Sequence, residues 1–189
     1  VHKIIVSNLV SLDGMLAGPD GELDWFRADE EFLGYARDLC RSIAGLLFGR
    51  RTFEMMAAYW PTEEAIRGDP VIAERMNGLP KAVVSTTLAQ TAWNNSRIIR
   101  DRVAESVSEW RRDAAGDIAV FGSGALVSSL LPLGLIDELR LFVHPTLLGR
   151  GRPEFHPMPG RVELQFKSVR CMQSGVVLLT YQRPLARSA

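Results

Sequence analysis

Phe121-Gly122-Ser123-Gly124-Ala125-Leu126 sits between the apolar run Asp117-Ile118-Ala119-Val120 and a helix-like apolar run from Leu126 to Leu131. A strand, a glycine pair and a helix start, in that order, make an anion-binding device. Glycine lacks the Cβ that would hold a ligand off the backbone, and a helix N-terminus presents unpaired N–H groups with partial positive charge. The pattern predicts a strand over 118–121, a helix over 125–131 and a phosphorylated ligand at the join, touching Gly122, Ser123, Gly124, Ala125 and Leu126. A tight strand-to-helix turn with no ligand is the competing reading.

A second device repeats the arrangement upstream. Gly49-Arg50-Arg51-Thr52 follows the apolar run Ala44 to Phe48 and precedes a helical run from Phe53 to Tyr59. Here the glycine is joined by two guanidinium groups, whose rigid forks of donors pair with phosphate oxygens two at a time. Two anion sites on one small domain, one of them doubly basic, suit a ligand with separated phosphates. A dinucleotide carrying an extra 2′-phosphate is the natural candidate. Alternatively, Arg50 and Arg51 are surface residues of a first helical turn. A doubly wound dinucleotide fold fits poorly. Its fingerprint asks for a third glycine where this chain has Val127, and for an acidic residue ending the next strand, whereas Asp137-Glu138 precedes that strand.

The 189 residues suffice for one domain with a proper core. Lysine plus arginine and aspartate plus glutamate balance at 22 each, so no positive field recruits nucleic acid. No apolar stretch approaches membrane length. Cys40 and Cys171 stand alone, and His2, His144 and His156 lack metal-ligand spacing, so no metal site is expected. A cytoplasmic protein is the expectation.

Around the two devices the hydrophobic period maps the remaining elements. Lys3 to Ser11 reads as a buried strand ended by the Asp13-Gly14 turn, with Met15 to Ala17 continuing across it. Asp29 caps a helix from Glu30 to about Ser42. A short strand over Leu46 to Phe48 leads to a helix over Arg51 to Ala58, stopped by Trp60-Pro61. Thr62 to Gly78 reads as an irregular surface excursion with a short helix. Strands over Lys81 to Ser85 and Arg97 to Ile99, an amphipathic helix over Asp101 to Ala115 and a strand over Leu139 to His144 follow. Glu163 to Met172 and Val176 to Arg183 form a hairpin about Gln173-Ser174-Gly175. The expected fold class is α/β: one domain, with a central mostly parallel sheet flanked by helices and closed by an antiparallel C-terminal hairpin.

In this order the pieces resemble the dihydrofolate reductase superfamily, and within it the branch of the riboflavin-biosynthesis reductase domain and its stand-alone relatives. Four motifs carry the resemblance: Val10-Ser11-Leu12-Asp13-Gly14 with Trp25 downstream; Gly49-Arg50-Arg51-Thr52; Val83-Val84-Ser85-Thr86; and the run from Gly122-Ser123-Gly124 through Leu133-Gly134-Leu135-Ile136-Asp137-Glu138-Leu139 to His144-Pro145-Thr146-Leu147-Leu148-Gly149-Arg150-Gly151. The resemblance implies NADPH as cofactor. Gly49, Arg50, Arg51 and Thr52 would meet the pyrophosphate and the adenosine 2′-phosphate. Ser85 and Thr86 would lie at the adenosine end, and Gly122 to Leu126 against the pyrophosphate.

On the substrate side the resemblance places Glu31, with Glu30 the near alternative, where folate reductases carry an acid early in their first long helix. The threonine partner of that acid is replaced by Phe142, and the riboflavin reductases' Asp-Asp-Pro segment by Ala58-Tyr59-Trp60-Pro61. Both departures argue against dihydrofolate and against the riboflavin intermediate as efficient substrates. Hydride transfer to a C=N or C=O carbon also needs a proton donor. Glu31 and Asp13 are the catalytic candidates, although Asp-Gly is also turn chemistry and first-turn carboxylates are favoured by the helix dipole alone. Asn8, Trp25, Glu30 and Phe142 are the substrate-side candidates, and Trp25, Phe26, Tyr59 and Trp60 could wall a flat heterocycle. The chain is thus expected to be an NADPH-dependent reductase of a small heterocycle, working as a homodimer. The alternative is a non-catalytic nucleotide- or flavin-binding protein of the same fold.

Overall fold

Eight strands form one sheet, in the order Ser96–Ile99, Lys81–Val84, Ile43–Gly49, Asp117–Val120, Ile4–Ser11, Glu138–His144, Val177–Gln182 and Gln165–Cys171. In the computed structural model, which describes residues 2–184, β1 is Ile4–Ser11, β3 Ile43–Gly49, β4 Lys81–Val84, β5 Ser96–Ile99, β6 Asp117–Val120 and β7 Glu138–His144. These six run parallel, whereas β10 (Val177–Gln182) is antiparallel to both β7 and the edge strand β9 (Gln165–Cys171). A separate short ribbon pairs β2 (Met15–Ala17) with β8 (Arg152–Pro153). The sheet is therefore mostly parallel and closed by an antiparallel hairpin, as the hydrophobic pattern predicts.

The helices divide between the two faces. On one, α5 (Val103–Asp113) and α6 (Gly124–Leu130) lay Val107, Trp110, Leu126, Val127 and Leu130 over Ile4, Val6, Ile118 and Val120. On the other, α1 (Glu30–Ser42), α2 (Arg50–Tyr59) and α4 (Pro70–Gly78) bury Leu39, Phe53, Ile72 and Met76 against Leu46, Phe48 and Val83. Strands covered on both faces are apolar throughout, which is why Ile43 to Gly49 reads as a continuous run rather than an alternation.

Two expectations need correction. The 62–78 excursion is two helices, α3 (Glu63–Gly68) and α4, each started by a side-chain cap: Thr62 accepts from Ala65 N and Asp69 from Ile72 N, with Pro70 at the first helical position. Caps satisfy N–H groups that a helix cannot satisfy itself, so helices too short to show a period still form. The third strand begins at Ile43 rather than Leu46, because α1 passes into it without a loop; the Ile43 N–H still bonds the Leu39 carbonyl.

Candidate functional site

All six parallel strands present their carboxyl ends along one edge, where ligands of such sheets bind. There the two glycine devices, more than seventy residues apart in sequence, lie side by side because β3 and β6 are neighbours. The Gly49 N–H donates to the Gly122 carbonyl at 3.1 Å. A Cβ on Gly49 would run into the Ser123 hydroxyl, and one on Gly122, whose φ is +103°, would meet the Thr52 hydroxyl at 3.0 Å. Both turns are thus closely packed on each other, and Gly49, Thr52, Gly122 and Ser123 form one strip.

The electrostatics of α2 are the unusual feature. Helix N-termini favour acidic residues, yet its first turn has none and opens with Arg50 and Arg51. Arg50 is steadied by Glu54 (Nε to Oε1, 2.9 Å) and by Thr87 (Nη1 to Oγ1, 2.6 Å), a residue that the sequence did not single out. Arg51 is exposed, with no ion-pair partner among the described residues. Ser85, the residue after β4, whose last residue Val84 pairs with Gly49, accepts from the N–H groups of Thr87 and Leu88 and shapes the loop that carries exposed Thr86 and Thr87. Two guanidinium groups, a cation-bearing helix start and a row of hydroxyls match a phosphomonoester beside a second phosphate.

The Gly122–Leu126 device behaves differently from expectation. Ser123 caps α6, accepting from Leu126 N at 3.4 Å. Gly124 is required by packing, since a Cβ there would strike the backbone carbonyls of Pro153 and Glu154. Leu126 belongs to the core and its N–H is capped by Ser123, which leaves the Gly122–Ser123 backbone and exposed Ala125 for a ligand.

On the substrate side the structure separates the candidates. Trp25 stands edge-on to His144 at 5.3 Å and beside Phe26 at 6.2 Å, its indole N–H enclosed without a hydrogen-bond partner. His144 donates from Nδ1 to the Phe142 carbonyl at 3.0 Å. Tyr59 and Trp60 do not join this cluster: α2 starts at the carboxyl edge and runs away from it, leaving its far end roughly 14 Å off. Phe142 does not line a pocket either. It is fully buried, packed edge-on to Phe32 at 5.2 Å and Tyr35 at 4.8 Å.

The acids are similarly engaged. Asp13 accepts from the Ser11 hydroxyl at 2.6 Å and from the N–H groups of Leu148 and Gly149 at 3.1 and 2.7 Å. Those bonds, the Ser11 hydroxyl foremost, hold its carboxyl down at about 2, so it is ionised at neutral pH and clamps a loop rather than donating a proton. Glu31 ties α1 to the hairpin, accepting from Arg170 at 3.2 Å and from Gln173 N at 2.7 Å. Glu30 is exposed and pairs with Arg37 at 3.5 Å. Asn8 turns away from the rim, donating from Nδ2 to both oxygens of Glu154 at 3.0 Å. Glu154 itself is wholly buried, and desolvation pushes its carboxyl up to about 7 against the Asn8 bond. Nothing local marks it, since a glutamate after Gly151-Arg152-Pro153 reads as solvated loop.

Comparison with known proteins gives concordant findings. The family model described as RibD C-terminal domain matches residues 2–178. Uncharacterized protein YyaP of Bacillus subtilis (strain 168) is 32% identical over 180 residues, covering 95% of this chain and 94% of that one. Among solved structures, a Shewanella sp. PV-4 protein provisionally assigned to riboflavin biosynthesis superposes with a TM-score of 0.75 at 21% identity, covering 97% of this chain and 99% of the other. A dihydrofolate reductase from Enterococcus faecalis, complexed with NADP(H) and RAB-propyl, superposes with a TM-score of 0.62 at 16% identity, covering 96% of each chain. The last two likenesses are of fold.

Proposed function

The chain belongs to the RibD C-terminal domain family, and from that premise we propose that it is an NADPH-dependent reductase delivering hydride to a C=N or C=O carbon of a small heterocycle. The observation that carries this is the cationic start of α2, where Arg50 and Arg51 stand against the helix dipole beside the Ser85–Thr87 hydroxyls. A 2′-phosphate would relieve that unfavourable arrangement; NADH, which lacks one, would not. The donor set therefore fits NADPH, with Gly49, Thr52 and the Gly122–Ser123 backbone on the pyrophosphate side.

When bound, NADPH would supply the hydride. The chain's own residues would do the positioning. Trp25, Phe26 and His144 would offer aromatic edges to a flat ring, and the Trp25 indole N–H is a donor awaiting an acceptor. The replacement of a polar partner by buried Phe142, and the engagement of Glu31 with Arg170 and Gln173, both weigh against dihydrofolate. They also favour a second reading, a nucleotide binder without turnover, because Asp13, Glu30 and Glu31 all have structural partners.

Titration of NADPH and NADH against tryptophan fluorescence tests the first reading. NADPH should bind at least tenfold more tightly; equal affinity, or none for either, would overturn it. NADPH oxidation with candidate heterocycles then separates reductase from binder, and robust turnover of dihydrofolate would restore Glu31 or Glu30 as the acid.

A further inference from the structure

The Asn8–Glu154 pair lies directly behind the strip that meets the cofactor. Val6 pairs with Val120, so Asn8 stands level with Gly122, on the face covered by α6. Glu154 is docked there by three contacts: its N–H on the Gly14 carbonyl at 2.9 Å, its backbone against Gly124, and its carboxyl on Asn8. Among the described residues, no charged side chain faces that carboxyl. From β1 comes only the Asn8 amide; from α6 come Gly124 and Ser128, whose hydroxyl takes the His156 N–H at 2.8 Å. In the Gly14 turn, Asp13 is bonded to Leu148 and Gly149. Of its chain neighbours, Arg152 places its guanidinium against Gly21, and His156 is exposed. A carboxyl without a cation, enclosed beside an anion-binding edge, is unfavourable whenever it is ionised.

We propose that Glu154 makes occupation of this edge by an anionic dinucleotide proton-linked: the carboxyl is neutral in the complex, and the ionised form takes one proton from solvent as the ligand binds. The inference rests on the NADPH reading above. Burial sets the pH window and the ligand sets the sign. Burial already raises the free protein's carboxyl to about 7, and a neighbouring negative ligand raises it further. Well below pH 7 the carboxyl is neutral in both states and contributes no pH dependence. Above pH 7 each bound ligand must take up a proton, so affinity falls as pH rises, by up to tenfold per unit. The second ionisation of a phosphomonoester has its midpoint at about pH 6 and is nearly complete by about pH 7, so it adds little to the change above that. Lys81, which burial lowers to about 8, opens β4 at the opposite edge of the sheet and is common to both proteins compared.

The test is NADPH binding to the full chain, by tryptophan fluorescence from pH 6 to 9, for the natural protein and Glu154→Gln. It is joined by proton uptake at pH 8, read with an indicator dye in weak buffer. The natural protein should lose affinity roughly 10- to 100-fold between pH 7 and 9 and take up close to one proton per ligand. Glu154→Gln, which keeps an acceptor for Asn8, should bind equally from pH 7 to 9 and take up no proton at pH 8. Equal affinity of the natural protein at pH 7 and 9, or the same slope in Glu154→Gln, would overturn the proposal while leaving NADPH binding standing. Absence of binding even at pH 6 would overturn the NADPH reading and this proposal together. Should Glu154→Gln fail to fold by circular dichroism, proton uptake by the natural protein decides alone.

Discussion

Arg51 and Arg50 occupy the same helical turn with different freedom, and that difference is measurable. Arg50 is held by Glu54 and Thr87 and is preorganised, whereas Arg51 is unpaired among the described residues. Losing a charge-assisted hydrogen bond to phosphate costs roughly 1.5–3 kcal/mol, tenfold or more in affinity. Arg50→Ala and Arg51→Ala are each expected to weaken NADPH binding by about that factor and leave NADH nearly unchanged in fluorescence titrations. A uniform loss for both cofactors would place the arginines on the pyrophosphate instead. Gly124 is a different case. Its neighbours are the carbonyls of Pro153 and Glu154 rather than open space, so Gly124→Val should lower the melting temperature outright, by overpacking worth about 1–3 kcal/mol. Calorimetry giving an unchanged melting temperature would contradict that packing.

The helices α3 and α4 show how a short element is specified by its ends. Six and nine residues leave little room for a hydrophobic period, and what starts them is a threonine cap and an aspartate–proline pair. The far end of α4 is secured by Lys81. Its ammonium donates to the carbonyls of Asn77, Leu79 and Asn94 at 2.7–3.0 Å and lies 4.6 Å from the Trp93 ring centre. A buried lysine serving three carbonyls is a brace between α4, β4 and the loop before β5. Lys81→Met removes the ammonium from all three carbonyls, of which only that of Asn94 has a second donor, the Ser96 hydroxyl, and should cost roughly 1–3 kcal/mol in denaturant unfolding. Stability equal to the natural protein would mean water replaces the ammonium. In sequence Lys81 is simply the polar first residue of a strand, because its acceptors come from 77–79 and 94, and only packing brings them together.

Assembly depends on what covers the outer edge of the sheet. β9 is exposed along its length, with Phe166 at 56% and Val169 at 53%, and its outer edge has no partner strand among the described residues. Such an edge invites pairing with another chain unless it is blunted. We propose a homodimer formed through the hairpin. Sedimentation at micromolar concentration should give a dimer, and Phe166→Lys with Val169→Lys should give a folded monomer. A monomeric natural protein would reject the interface.

The order of elements, the mostly parallel sheet, the C-terminal hairpin and both glycine devices were legible in the chain, because each rests on local chemistry: period, caps, turn residues, and glycines beside arginines. What folding alone settled was partnership. Whether Asp13 donates a proton or clamps a loop depends on Leu148 and Gly149, more than 130 residues away. Whether Phe142 meets a ligand depends on α1, which fills the space above it with Phe32 and Tyr35. Glu154 carries no local signal at all; it is buried by docking on Asn8, 146 residues earlier, and against Gly124, and that burial raises its pKa although the Asn8 bond opposes the rise. Secondary structure follows from neighbours in sequence, whereas the charge state and reach of a side chain follow from neighbours in space, which the topology assigns.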